Sequence, residues 1–132
     1  MSRTLSISNI ALLVHDYDEA IAFYCDKLGF TLQEDTRLSD SKRWVRLGLP
    51  GNSSTCLLLA KASDDVQKQA VGNQAGGRVF LFLNTDDFWR DYQAMQAKGV
   101  QFLEAPREEA YATVVVFQDL YGTKWDLLQP KA

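Results

Sequence analysis

One histidine and two cysteines leave this 132-residue chain poor in the ligands that transition metals favour. Two cysteines, Cys25 and Cys56, are too few for a disulfide framework and lack metal-ligand spacing. Both lie in apolar patterns and read as small buried hydrophobes. Lysine and arginine, 14 together, fall short of the 17 acidic residues, for a formal charge of -3 and a pI near 5.1. That balance argues against a nucleic-acid or anionic-membrane surface, both of which need clustered positive charge. No apolar run approaches membrane-spanning length, and "MSRTLSISN" lacks the apolar core of a signal peptide, so a cytoplasmic protein is expected. A glycine-rich phosphate loop, a nucleophile elbow and HExxH are all missing. With one histidine, His15, a serine or cysteine triad has little to draw on.

What is present is ordinary globular material, 46% hydrophobic and 23% charged, arranged twice in the same order. "SISNIALLV" reads as a strand, and Asp16 follows as a helix N-cap with Glu19 in capping-box position. Ile21, Tyr24, Cys25 and Leu28 recur at helical spacing, and Gly29 ends the helix. "FTLQED", "RWVRLGL" and "TCLLLAK" then read as three strands. In the second half "GRVFLFLN" is a strand, and "TDDFWRDYQAMQAKG" is a helix with Phe88, Tyr92 and Met95 on one face and Gly99 at its end. "VQFLEA", "YATVVVFQ" and "KWDLLQ" are three more strands. "KLGF" echoes "AKGV", and the polar stretch "KASDDVQKQAVGNQAGG" connects the halves with one short helix from Ser63.

An internal duplication follows. The expected fold class is α+β: one domain over 1–132, with two βαβββ modules in tandem (1–61 and 77–132) and a connector at 62–76. The modules are expected to form a curved mixed sheet with a concave cavity, the helices outside. A ligand site is expected in that inter-module cavity.

The entry "ALLVHDYDEAIAFYCDKLGF", the second entry "FLFLNTDDFWRDYQAMQAKGVQF" and the close "VFQDLYGTKWDLLQ" resemble the vicinal oxygen chelate superfamily. That is the group of glyoxalase I, extradiol dioxygenases, and fosfomycin and bleomycin resistance proteins. The resemblance covers nearly the whole chain and implies paired βαβββ modules, often a homodimer, and in metal-dependent members one divalent ion. It implies fold more firmly than reaction.

In metal-dependent relatives the first ligand lies seven residues before the Asp that opens the helix, which is Asn9 here. The second falls on Leu58, the third on Arg78 in "GGRVF", and the fourth on Asp126 in "KWDLL". One carboxylate, one amide, one leucine and one arginine do not make a site for Zn, Ni, Mn or Fe, so no metal and no cofactor are expected. Asn84, on the Arg78 face of an ideal strand, adds only an amide. An Arg78–Asp126 ion pair could simply fill the vacated position, or Arg78 could hold a carboxylate or phosphate through its planar fork.

Trp44 and Arg46 share a strand face if alternation holds, offering a ring beside a cation. Trp125 and Tyr111 supply further aromatic surface, with core packing as the alternative for each strand aromatic. His15, about 20 Å along the strand from Asn9, belongs at the sheet's end as a rim imidazole, with a catalytic role as the alternative. Glu108 and Glu109 read as a solvent-facing charged turn.

The reading is therefore a protein that binds a small organic molecule, planar or anionic, without the usual metal. Its ligand-binding residues would be Asn9, Trp44, Arg46, Arg78, Asn84, Tyr111 and Trp125. The alternative is a glyoxalase-like lyase or dioxygenase using Asp126 in an acid–base or rearranged divalent-metal site.

Overall fold

A computed structural model describes residues 4–132, with 52–54 described by backbone alone. Residues 1–3 of the N-terminal stretch read above lie outside it. By contact the chain divides into two compact units, 1–68 and 69–132.

Unit 1 runs β1 (Asn9–Val14), α1 (Tyr17–Ala22), β2 (Thr31–Arg37), β3 (Arg43–Leu49) and β4 (Asn52–Lys61). Asp16 caps α1 as its sequence predicts, its carboxylate accepting the Glu19 amide at 2.8 Å. The helix continues into a π-helical turn at Phe23–Lys27. That wider turn rotates the buried stripe. Tyr17, Ala20, Phe23 and Tyr24 are buried, whereas Ile21, Cys25 and Leu28, expected on the stripe, are half-exposed. Gly29, at φ 80°, turns the chain into β2.

The four strands hydrogen-bond in the order β1-β4-β3-β2, with β1 parallel to β4 and the rest antiparallel. Alternation sends Leu12, Val14, Val45, Leu47, Leu57 and Leu59 to one buried face. Asn9, Ala11 and Leu13 of β1, Cys56, Leu58 and Ala60 of β4, and Trp44 and Arg46 of β3 take the other.

The short helix α2 (Asp65–Ala70) stands in the connector as expected. Unit 2 continues with β5 (Leu81–Asn84), α3 (Phe88–Ala97), β6 (Gln101–Phe102), β7 (Arg107–Glu108), β8 (Ala112–Gln118) and β9 (Lys124–Pro130). Asp87 caps α3, and Gly99 leaves it at φ 84°. Phe88 and Met95 are buried, and Tyr92 stacks on Phe88 with centroids 5.8 Å apart. The sheet order is β5-β9-β8-β6, with β7 also on β8 and with β5 parallel to β9.

The chain is α+β with two tandem modules, and its hydrogen bonding makes two separate mixed sheets rather than one. Two strands came out differently. "GRVFLFLN" meets β9 only from Phe80, whose amide bonds Lys124 O, and runs as β5 from Leu81, because Gly76 and Gly77 turn at positive φ before it. "VQFLEA" forms β6 only at Gln101–Phe102, its last bond to β8 running from the Leu103 amide to Val116 O, and pairing resumes at β7, after Pro106. Across that gap the Glu104 carboxylate accepts the Val116 amide at 3.0 Å, replacing a missing ladder partner.

Candidate functional site

Each unit repeats one register. In unit 1, Leu58 lies opposite Ala11 of β1 and Arg46 of β3. In unit 2, Asp126 lies opposite Phe82 of β5 and Val116 of β8. Leu58 and Asp126 are thus equivalent positions, central on the sheet face that does not carry the core.

On the unit 1 face, the Arg46 guanidinium reaches across β4. Its Nε donates to Asn9 Oδ1 at 3.0 Å and its Nη2 to Cys56 Sγ at 3.4 Å, and Nη1 lies 3.6 Å from Glu34. Further along the same face a cavity of about 660 Å³ opens, with Leu13, Trp44, Leu58 and Ala60 in its wall. Tyr17, Lys42, Arg43 and Lys61 also line it. Tyr17 is held in place there: its hydroxyl accepts the Arg43 amide at 3.1 Å, and the Arg43 guanidinium lies 5.1 Å from its ring centroid. Arg43 is itself pinned by Asp35 at 2.6 Å and Asp18 at 2.9 Å. Hydrogen bonding from Arg43 holds the Asp35 carboxyl below the usual carboxylate range.

On the unit 2 face, Asp126 is half-buried and its Oδ1 finds no hydrogen-bond partner among the described residues. Burial pushes its carboxyl above the usual range. Arg107 opposes that rise, and Glu104 adds to it. Arg107 is already engaged, bonding Glu104 at 2.9 Å and Glu109 at 3.1 Å. Phe82, 64% exposed, flanks Asp126, and Asn84 follows it on the same face.

The expected Arg78–Asp126 ion pair does not form. Arg78 sits in the turn before β5, its amide bonded to Ala75 O, and Phe82 is the β5 residue opposite Asp126. Asn84 therefore shares a face with Asp126 and not with a strand residue 78. Trp125 is in the core, 3% exposed and stacked on Phe117 at 5.9 Å, because odd positions of β9 point to the buried face. Tyr111 is 61% exposed beside β8. His15 is exposed just past the end of β1, the rim position its spacing predicts. Glu108 is exposed and accepts the Thr113 hydroxyl. The structure bonds Asn9 to Arg46, and sets Trp44 and Leu58 in the lining of one cavity. Sequence reasoning passed over Glu104, whose signal was the Pro106 break beside it.

The family profile of the Glyoxalase/Bleomycin resistance protein/Dioxygenase superfamily matches residues 6–127. The chain belongs to this superfamily. A protein of Shewanella frigidimarina (strain NCIMB 400) is 60% identical over 125 residues, covering 94% of this chain and 93% of its own. Among solved structures, UcmS2 superposes with a TM-score of 0.83 at 23% identity, covering 96% of this chain and 98% of its own. TnmS3, an antibiotic binding protein from Streptomyces sp. CB03234, superposes at 0.81 and 24% identity, covering 99% of this chain and 100% of its own. Both likenesses are in fold.

Membership raises the superfamily's divalent metal, and the residues present do not fit it. Counting seven back from the α3 cap Asp87 lands on Phe80, so the repeat places an aromatic ring, not Arg78, at the position equivalent to Asn9. Asn9 already gives its oxygen to a guanidinium, Leu58 and Phe80 cannot ligate, and Asp126 remains alone. Among the described residues no group of three His, Cys, Asp or Glu is placed to hold a cation.

Proposed function

We propose that this superfamily member is a small-molecule-binding protein that takes a planar organic molecule with an anionic edge, without a metal. The observation that carries the reading is Trp44 in the wall of the 660 Å³ cavity beside Leu58, the apolar residue at a ligand position. The volume falls in the range of organic-ligand pockets. The indole offers a flat stacking surface, and Leu13 and Ala60 continue the apolar wall. Lys42 and Lys61 supply the complementary charge, since Arg43 is neutralised by Asp18 and Asp35. An antibiotic-binding role for TnmS3 is in keeping with this reading. Asn9 and Arg46 act as a fixed polar pair beside the wall. The reading includes a homodimer, from the superfamily resemblance and the open strand edges, and a cytoplasmic location. No helix among the described residues is long and apolar enough to cross a membrane.

The test is a titration of planar aromatic carboxylates, read by indole fluorescence and melting temperature. Saturable quenching, with about tenfold weaker binding in Trp44→Ala, is expected. Compounds that bind Trp44→Ala as tightly as the parent, or none that bind at all, would overturn it. So would one metal per chain in protein purified without chelator, lost in Asp126→Ala.

A second reading rests on Asp126, a carboxyl pushed above its ordinary range whose buried Oδ1 has no hydrogen-bond partner among the described residues. Such a group suits proton transfer in a glyoxalase- or dioxygenase-type enzyme. Turnover of methylglyoxal–glutathione adducts abolished by Asp126→Ala would establish it, and turnover that survives the substitution would exclude this site.

A further inference from the structure

Unit 2 holds a smaller cavity, built from two loops, that shares no lining residue with the Trp44 cavity. It encloses about 200 Å³ between the segment 72–80 and residues Gly122, Thr123 and Lys124. Among the described residues two cations, Arg78 and Lys124, line it, and no carboxylate does. Lys124 Nζ commits one donor to Gly77 O at 3.0 Å and keeps its other two. Arg78 has no ion pair or side-chain hydrogen bond among the described residues, so all five guanidinium donors are available.

A second observation is independent of charge. Thr123, also in the lining, is 2% exposed, and its Oγ1 has no hydrogen-bond partner among the described residues. A buried hydroxyl left unmade costs stability, and such groups in native proteins mark an unseen partner or a functional site. The cavity is also braced. Gly72, at φ +79°, approaches so closely that a Cβ there would lie 2.0 Å from Tyr121 O. Only glycine allows that approach, which fixes the 72–78 loop against the 121–124 loop before any ligand arrives.

We propose that this cavity is a binding site for a tetrahedral oxyanion of the phosphate class, either the free ion or a small phosphomonoester. Arg78 grips two oxygens through its planar fork, Lys124 adds a point charge, and the Thr123 hydroxyl donates to the anion. The volume suits one such group with a small substituent and excludes a nucleotide. The chain's net charge of -3 makes nonspecific anion attraction weak, so selectivity falls to this constellation.

The experiment is titration of the full chain with inorganic phosphate at constant ionic strength, followed by amide NMR, with chloride as control. Saturable shifts confined to residues 72–80 and 121–124 are expected, with Arg78→Gln weakening the midpoint about tenfold. Thr123→Val, which removes the hydroxyl at equal volume, is expected to weaken it about threefold while holding or raising the melting temperature. A glycerol phosphate arm separates the two sources: a tighter midpoint than phosphate assigns the site to an ester, an equal one to the free ion. Shifts reproduced by chloride, shifts elsewhere only, or a midpoint unchanged in Arg78→Gln would each overturn the proposal. Arg78 is exposed in a turn, so its substitution leaves the fold intact for that reading.

Discussion

Arg46 donates from Nε to Asn9 Oδ1 at 3.0 Å, joining β3 to β1 across the intervening strand β4. The residue at a metal-ligand position of the superfamily is thereby bonded to a permanent cation. A cation site beside a guanidinium that cannot lose its proton is electrostatically unfavourable. Placing a histidine at position 9 alone should therefore fail. Asn9→His is expected to hold well below one divalent metal per chain by elemental analysis after exposure to Zn or Ni. Arg46→Met, which removes the bonds to Asn9 and Cys56, is expected to cost about 1 kcal/mol in urea unfolding, since the pair is partly solvated.

Asp126 and Leu58 occupy equivalent register positions, so Asp126→Leu copies into unit 2 what unit 1 already tolerates. The substitution removes a half-buried carboxyl whose Oδ1 is unpartnered among the described residues. It is expected to stabilise the protein by about 1 kcal/mol at neutral pH. The gain has a pH signature. The folded carboxyl keeps its proton to higher pH than the unfolded one, so the folded state binds more protons between the two pKa values. Stability of the parent falls as pH rises through that window, and the penalty is complete above it. The advantage of Asp126→Leu should shrink as pH drops into the ordinary carboxylate range. A constant advantage at all pH values would refute the assignment of desolvation as its source.

Two glycines of the same loop separate backbone conformation from close approach. Gly76, at φ +66°, has open space where a Cβ would go, and Gly72 has Tyr121 O at 2.0 Å. Gly76→Ala is expected to cost about 1 kcal/mol, the left-handed backbone penalty. Gly72→Ala carries the same penalty and a backbone clash, for a total of about 3 kcal/mol or more. Equal losses in chemical denaturation would mean that the two loops separate at little cost.

Trp125 and Tyr111 look alike in their sequence context, and their burial parts them. Trp125→Ala is expected to cost about 3–5 kcal/mol, with the cavity left under the sheet. Tyr111→Ala, at a position 61% exposed, is expected to stay within about 0.5 kcal/mol. Thermal melts of the two variants decide it.

Local chemistry wrote much of this fold into the chain. Asp16 and Asp87 start helices because a carboxylate following a strand can accept free amides, and Gly29 and Gly99 end them because only glycine takes that φ at no cost. Alternation in "RWVRLGL" correctly put Trp44 and Arg46 on one face, since a strand has period two whatever surrounds it. The sequence by itself thus determined the two modules, their order and the superfamily. Register between strands was beyond it. Whether Asp126 meets Arg78 or Phe82 depends on where β5 begins pairing, and the turn at Gly76 and Gly77 sets that through contacts made only in the folded unit. For the same reason only the tertiary structure joined Arg46 to Asn9, sank Trp125 into the core, and left the Thr123 hydroxyl buried without a partner among the described residues. These depend on residues distant in sequence, and no local pattern encodes which of them will meet.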